Sequence, residues 1–229
     1  LSIEGDKFPS HLQPVNQFYS VTNSFVQLGS GSGAHPFKTV KDYDDFLSRA
    51  DDYSVIIDQI IINMKLGMQQ GVTQPRILMQ KLEPQIDAQI VADAKDSNFF
   101  KPVLNFPEGY SEEDRVRRTS AYREKIDATI IPAYQRISNF LGDEYTSAAR
   151  ETVGLYAQPN GTDWYAYMVR LRTTTDLTPD EIHQIGLSEV ARIHEEMQAV
   201  MAEVGFDGSL DEFFEFVNTD EQFFYDEAE

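Results

Sequence analysis

The sequence predicts an all-α protein. Three observations lead there: apolar residues recur at helical spacing, cap residues and glycine stops punctuate those runs, and no alternating pair of runs flanks a hairpin turn. No internal repeat is visible, so the helices form an irregular array rather than a solenoid.

Taken in order, Thr39 can cap a helix whose Val40, Tyr43, Phe46, Leu47 and Ala50 fall on one stripe. A second helix is expected from Ser54 through Ile56, Ile57, Ile60, Ile61, Met64 and Met68. Gly71 suits its stop, because glycine enters the left-handed region without a Cβ clash. Thr73 is expected to cap a third helix with Pro75 in its first turn, and Pro84 to kink or split it. Residues 97–110 read as a loop, with Pro102, Pro107 and Gly109 close together. Ser111 and Asp114 make a capping-box-like start. The long helix after them places Val116, Ile126, Ile130, Tyr134, Ile137, Leu141 and Tyr145 near one face, and Pro132 is expected to bend it.

Gln158-Pro159-Asn160-Gly161 is a turn, and Thr162 can cap the next element. The stretch from Trp164 to Arg172 fits both a strand alternation and a helical stripe; the cap and the helical surroundings favour helix. Thr178-Pro179-Asp180-Glu181 is the clearest start: a cap, a proline at the first helical position, then acids at the positive end of the dipole. Its apolar positions, Ile182 to Val204, run to the stop at Gly205. Ser209 opens a short helix bearing Phe213, Phe214, Phe216 and Val217, and Thr219-Asp220-Glu221 opens another that reaches Glu229 in mid-pattern.

With 229 residues, 41% of them hydrophobic and 12% aromatic, the chain can bury a core and is no disordered acidic tail. Its 38 acids against 19 bases give a formal charge of −19. Such a field repels phosphate backbones and anionic lipid, so neither nucleic-acid binding nor a polybasic anchor is expected. The charge is uneven: residues 176–229 hold 16 acids and one base, Arg192. A solvated face explains that run, and a basic partner is the competing explanation. No apolar run has the length of a membrane-spanning helix. The first residue is Leu1 rather than Met, so targeting information is expected to lie outside the sequence.

Cysteine is absent, which removes disulfides, thiolate metal sites and cysteine nucleophiles. Histidine and carboxylates remain for metal chemistry, but the four histidines, His11, His35, His183 and His194, fall in no H-E-x-x-H or H-x-H pattern. His183 and His194 would lie roughly 16 Å apart along one helix, too far to share an ion. Each histidine reads better as structural or surface. The run Gly29-Ser30-Gly31-Ser32-Gly33 lacks the context of a nucleophile elbow and the lysine of a phosphate-binding loop, and reads as a linker or mobile flap. Arg170 and Arg172 beside Trp164, Tyr165 and Tyr167 form the one basic and aromatic cluster. They could hold a peptide carboxylate or pair with the acidic run after Asp176.

The segment Arg150 to Leu155, the stretch Trp164 to Val190, and Gly205 to Phe214 with Phe223-Phe224-Tyr225 resemble the DUF885 family of bacterial proteins, many of which carry a lipoprotein designation. Pro14 to Phe18, Pro36 to Asp44 and Ile131-Pro132-Ala133-Tyr134 resemble its opening, so the likeness covers nearly the whole chain. Thr173-Thr174-Thr175-Asp176-Leu177-Thr178-Pro179-Asp180-Glu181-Ile182-His183 is its most specific piece.

The family's proteins are longer and resemble gluzincin-type zinc peptidases, with an H-E-x-x-P-G-H-H-like helix in the C-terminal half. No position from 1 to 229 matches that motif, so no metal ligand or catalytic residue carries over. The resemblance implies that residues 1–229 are one incomplete helical region of a larger peptidase-like fold. Helices and loops fill 1–110, and long helices in 111–229 lead toward a catalytic half outside the sequence. It implies zinc in the parent and none in this chain, which alone would be inactive. The chain would form a wall or lid of a substrate cleft, with His183, Arg170 and Tyr167 contacting peptide and the C-terminal half as partner. A periplasmic or envelope location is expected. The competing reading is a non-catalytic helical binding or scaffold module of the cell envelope.

Overall fold

The computed structural model describes residues 5–225. Among them every regular element is helical, as the sequence predicts; the only extended pairing is an isolated bridge between Pro75 and Arg150. Residues divide into two compact units, Leu1–Tyr165 and Ala166–Glu229.

In the first unit, α1 (Val21–Gly29) precedes α2 (Val40–Gln70), a helix of 31 residues. Thr39 caps α2 with a full capping box: its hydroxyl accepts from the Asp42 N–H, and the Asp42 carboxylate accepts from the Thr39 N–H at 2.7 Å. Gly71 ends it at φ +72°. The expected new start at Ser54 does not occur. Nothing between Thr39 and Gly71 breaks a helix, and the Ser54 hydroxyl instead accepts from Arg136 Nη2 at 2.9 Å. Tyr43, Phe46, Ala50, Tyr53, Ile57, Ile60 and Met64 form the buried stripe.

Helix α3 (Arg76–Asp87) is preceded by Pro75, with ψ 137°, rather than capped by Thr73. The Thr73 hydroxyl accepts from the Arg150 N–H at 3.2 Å, so it ties this corner to a segment far along the chain. Pro84 neither splits nor ends the helix where it stands. It lies in the last turn, where α3 closes three residues later at Asp87. Within the expected loop at 97–110, a 3₁₀ segment, Asn98–Val103, buries Phe99 and Phe100.

From Glu112 to Ala148 the chain is continuously helical: α4 (Glu112–Lys125), a π turn (Ile126–Ile130), α5 (Ile131–Phe140), a second π turn (Leu141–Tyr145) and α6 (Thr146–Ala148). Pro132 falls immediately after the first π turn. A widened turn already departs from the regular hydrogen-bond ladder, so a residue without N–H is absorbed there. Of the expected stripe, Ile126, Ile130, Tyr134, Ile137, Leu141 and Tyr145 are buried; Val116 is 61% exposed. These side chains close over the α2 stripe and α3 to make one core. Each fully buried aromatic or large aliphatic contributes about 1.5–3 kcal/mol.

Gly29 explains the tight join of α1 to that core. A Cβ there would stand 2.5 Å from ring atoms of both Phe46 and Phe99. The glycine run after α1 thus begins with a packing requirement, which its composition does not display.

Asn160, at φ 52°, leads into α7 (Gly161–Thr173), so Thr162 lies inside the first turn instead of capping it. Trp164 is buried and stacks on Phe8, with centroids 5.9 Å apart. In the second unit, α8 (Pro179–Glu203) starts with a capping box between Thr178 and Glu181, and α9 (Leu210–Thr219) with one between Ser209 and Glu212. A small aromatic cluster of Phe206, Phe213, Phe216 and Phe223 fastens α9 and the adjoining 3₁₀ turn Glu221–Phe223. Asp220, not Thr219, caps that turn. The expected helix does not continue from it: the turn ends at Phe223 and Phe224 is extended, at φ −121° and ψ 149°, while residues 226–229 of the expected run lie outside the described residues.

Candidate functional site

The residues singled out by sequence fall on the end of α7, the turn after it, and the start of α8. Tyr167 and Arg170 are three apart on α7 and so lie on neighbouring points of one helix face; Tyr167 is buried and Arg170 half-buried. His183 is exposed, one turn into α8. The acids Asp180 and Glu181 stand in the same first turn. The Glu181 carboxylate is held below the ordinary glutamate range, chiefly because it accepts from the Thr178 backbone N–H at 2.8 Å. It is therefore anionic near neutrality and committed to the cap.

The connecting turn is strained. Thr174 sits at φ 57°, a left-handed conformation that a β-branched side chain rarely adopts and that costs about 1–2 kcal/mol. Local bonds fix it there. The Thr174 N–H donates to the Arg170 carbonyl at 2.9 Å, and the Thr173 hydroxyl donates to the Val169 carbonyl at 2.9 Å while accepting from the Thr175 N–H at 3.3 Å. A strained residue held by its neighbours, between Arg170 and the start of α8, is the feature of this region that sequence reasoning misses. The usual signal for positive φ is glycine or asparagine, and Thr-Thr-Thr carries neither.

Beyond the turn, α8 presents an apolar seam among its acids. Val190, Ile193, Met197, Val200 and Val204 recur at steps of three and four, the spacing at which one helix meets another. Val190 is 52% exposed and Val204 62%. Of the bases, Arg192 is committed within the helix to Glu189 and Glu196, at 2.8 and 2.6 Å. A pocket of about 440 Å³ lies at the far end of the helix, between Gln198, Met201, Phe206 and Leu210.

Among the described residues no three His, Cys, Asp or Glu side chains come together as a metal site. His183 and His194 are both exposed, as is His11. His35 is buried, with Nε2 2.9 Å from the Asp42 carbonyl and Nδ1 against Arg49 Nη1. Guanidinium can only donate, so Nδ1 accepts and the Nε2–H donates; both ring nitrogens are occupied structurally. Among the described residues no helix is long and apolar enough to cross a membrane.

A family model described as "Bacterial protein of unknown function (DUF885)" matches residues 2–229. The chain is also similar to a crystal structure described as that of "the putative lipoprotein from Colwellia psychrerythraea", at a TM-score of 0.81 and 22% identity, over 93% of this chain. At that identity the likeness establishes the fold. The chain spans 37% of that structure's length. No curated protein matches it.

Proposed function

The chain belongs to the DUF885 family, and from that premise we propose that it serves as the N-terminal helical part of a zinc-dependent peptidase. In this reading it walls or covers a substrate cleft, while the metal site belongs to a C-terminal half. The observation that carries the reading is the exposed seam of α8. A helix that leaves Val190, Ile193, Val200 and Val204 in water is built to meet another surface. The difference in length from the structural neighbour supports a further portion to supply that surface.

Within this proposal the strained turn positions the peptide-contacting groups. Arg170 offers a guanidinium matched to a carboxylate, Tyr167 an aromatic wall, and His183 a polar contact at the start of α8. The reading assigns the zinc to the C-terminal half of the parent, where it would supply the activated water when bound. An envelope location, in keeping with the lipoprotein designation of the neighbour, belongs to the same proposal.

The test is metal analysis and a quenched-fluorescent peptide library on the full-length protein, beside the chain of 229 residues. Stoichiometric zinc and hydrolysis in the full-length protein, with neither in the chain, are expected. A full-length protein that binds no zinc and cleaves nothing overturns the peptidase reading in favour of a non-catalytic envelope module.

A further inference from the structure

A second site lies in the first unit. The segment Ser30–Lys38, after α1, faces the end of the 3₁₀ segment Asn98–Val103 across a cavity of about 500 Å³, within the range of small-molecule sites. Its walls are apolar: Pro36, Phe37, Tyr43 and Pro102. Phe37 stands edge-on to the Tyr43 ring at 5.3 Å, and the Tyr43 hydroxyl donates to the Pro102 carbonyl at 3.2 Å, fixing one wall to the other. Burial pushes the Tyr43 phenol up to about 12, so that hydroxyl stays protonated and donating.

The polar lining has one sign. Lys38 and Lys101 both border the cavity, together with Ser30 and Asn105, and no carboxylate does. In a chain of net charge −19 that is unexpected. Several bases of this unit sit on acids, among them Lys41 on Asp45, Lys65 on Glu144, Arg123 on Asp93, Lys125 on Asp51 and Arg136 on Asp58, while others such as Lys7, Lys81 and Lys95 do not. Neither Lys38 nor Lys101 has a carboxylate within ion-pair distance among the described residues. His35, in the same lining, has both ring nitrogens occupied, by Asp42 and Arg49, so it serves as wall.

Backbone geometry holds this wall in place. Gly31 adopts φ +81°, and a Cβ on Gly33 would stand 2.3 Å from the Gln27 carbonyl oxygen. The glycine run lacks a phosphate-binding lysine of its own, and the fold supplies two lysines from outside it.

We propose that this cavity binds a small anion carrying an apolar ring, with its carboxylate or phosphate between the Lys38 and Lys101 ammonium groups and its ring against Phe37 and Pro36. Lysine is a point charge rather than a planar fork, so either anion is accommodated. The site is independent of the peptidase reading, because none of its residues belongs to the second unit.

Titration calorimetry at low salt on the full chain tests it with three probes: 3-phenylpropionate, phenyl phosphate, and the neutral 3-phenylpropanamide. Both anions should bind at least tenfold more tightly than the amide, and the tighter of the two identifies the natural anion. Lys38→Gln/Lys101→Gln should weaken anion binding at least tenfold. Lys7→Gln/Lys81→Gln, which removes the same charge from exposed positions elsewhere, should leave it within twofold. Because all four lysines are exposed, these variants are expected to keep the wild-type circular dichroism spectrum and melting temperature. No binding of either anion at 10 mM (about a weak-fragment limit), equal binding of the amide, or equal loss in both double variants overturns the proposal.

Discussion

Arg118 on α4 grips Asp44 on α2, with Nη1 and Nη2 each donating to one carboxylate oxygen. The guanidinium is 2% exposed and the carboxylate 56%. The Asp44 hydrogen bonds hold Arg118 above its ordinary range, and its Nε is buried without a partner. That asymmetry decides which substitution hurts. Losing Asp44 strands a buried cation, whereas losing Arg118 leaves an anion already in water. Asp44→Ala is expected to cost about 2 kcal/mol and Arg118→Met less than about 1 kcal/mol. Urea unfolding of the two variants gives the order, and the reverse order would mean that water already reaches the guanidinium.

Two glycines should respond in opposite directions. Gly29→Ala drives a methyl into the Phe46 and Phe99 rings, both buried and packed on Phe25, so about 1–3 kcal/mol should be lost. Gly186, inside α8, has nothing within 4 Å of an added Cβ. Gly186→Ala should gain about 0.5–1 kcal/mol by restricting the unfolded chain. Thermal melts followed by circular dichroism check both signs.

The same residues show how far a sequence is legible. Thr39, Thr178 and Ser209 read correctly as caps because the acid that completes each box lies three residues on. Ser54 and Thr73 offer a hydroxyl but no such acid, since Ile57 and Arg76 stand three residues on, and their hydroxyls serve Arg136 and Arg150, separated by 82 and 77 residues. A local pattern cannot display a partner that only the fold brings near. For the same reason the glycine run gives no hint of Lys101, nor Thr-Thr-Thr of a positive φ at Thr174. The all-α class is legible because it sums many local signals. Sites made of distant residues are not.

Strain at Thr174 predicts its own relief. Thr174→Gly removes the Cβ conflict at φ 57°, and after glycine's larger entropy loss should stabilise the chain by about 0.5–1 kcal/mol. If the turn positions Arg170 and His183 for a ligand, the same change should weaken peptide turnover in the full-length protein while the melting temperature rises. Loss of stability instead would show that Thr174 is held by contacts rather than against strain.

Acid should loosen α8 and α9 at their starts. Glu181 and Glu212 are held below the ordinary value of 4.5, first by the Thr178 and Ser209 backbone N–H groups and then by the hydroxyls. With folded values depressed, the unfolded chain takes up protons first as pH falls. The contribution of these caps is therefore complete above about pH 4.5 and lost as pH drops through the lowered folded values. Carbon-detected NMR titration should report both carboxylates below 4.5. Thr178→Ala and Ser209→Ala should return each toward the ordinary value and lower the melting temperature at pH 7 more than at pH 3.

The seam on α8 sets the last expectation. Val190, Ile193, Val200 and Val204 repeat at helix-pairing intervals, yet each is at least 38% exposed. Apolar surface of that spacing seeks a partner in water, and a chain lacking its natural one turns to copies of itself. The acidic residues around the seam oppose that association at low salt, because like charges meet across any symmetric contact. The chain should therefore be monomeric at low ionic strength and self-associate as salt screens the repulsion. Val190→Gln/Ile193→Gln should keep it monomeric at all salt concentrations, and the full-length protein should be monomeric without substitution. Sedimentation velocity across a salt series separates these cases. A salt-independent monomer that binds no hydrophobic dye would remove the observation on which the proposed docking of a C-terminal half rests.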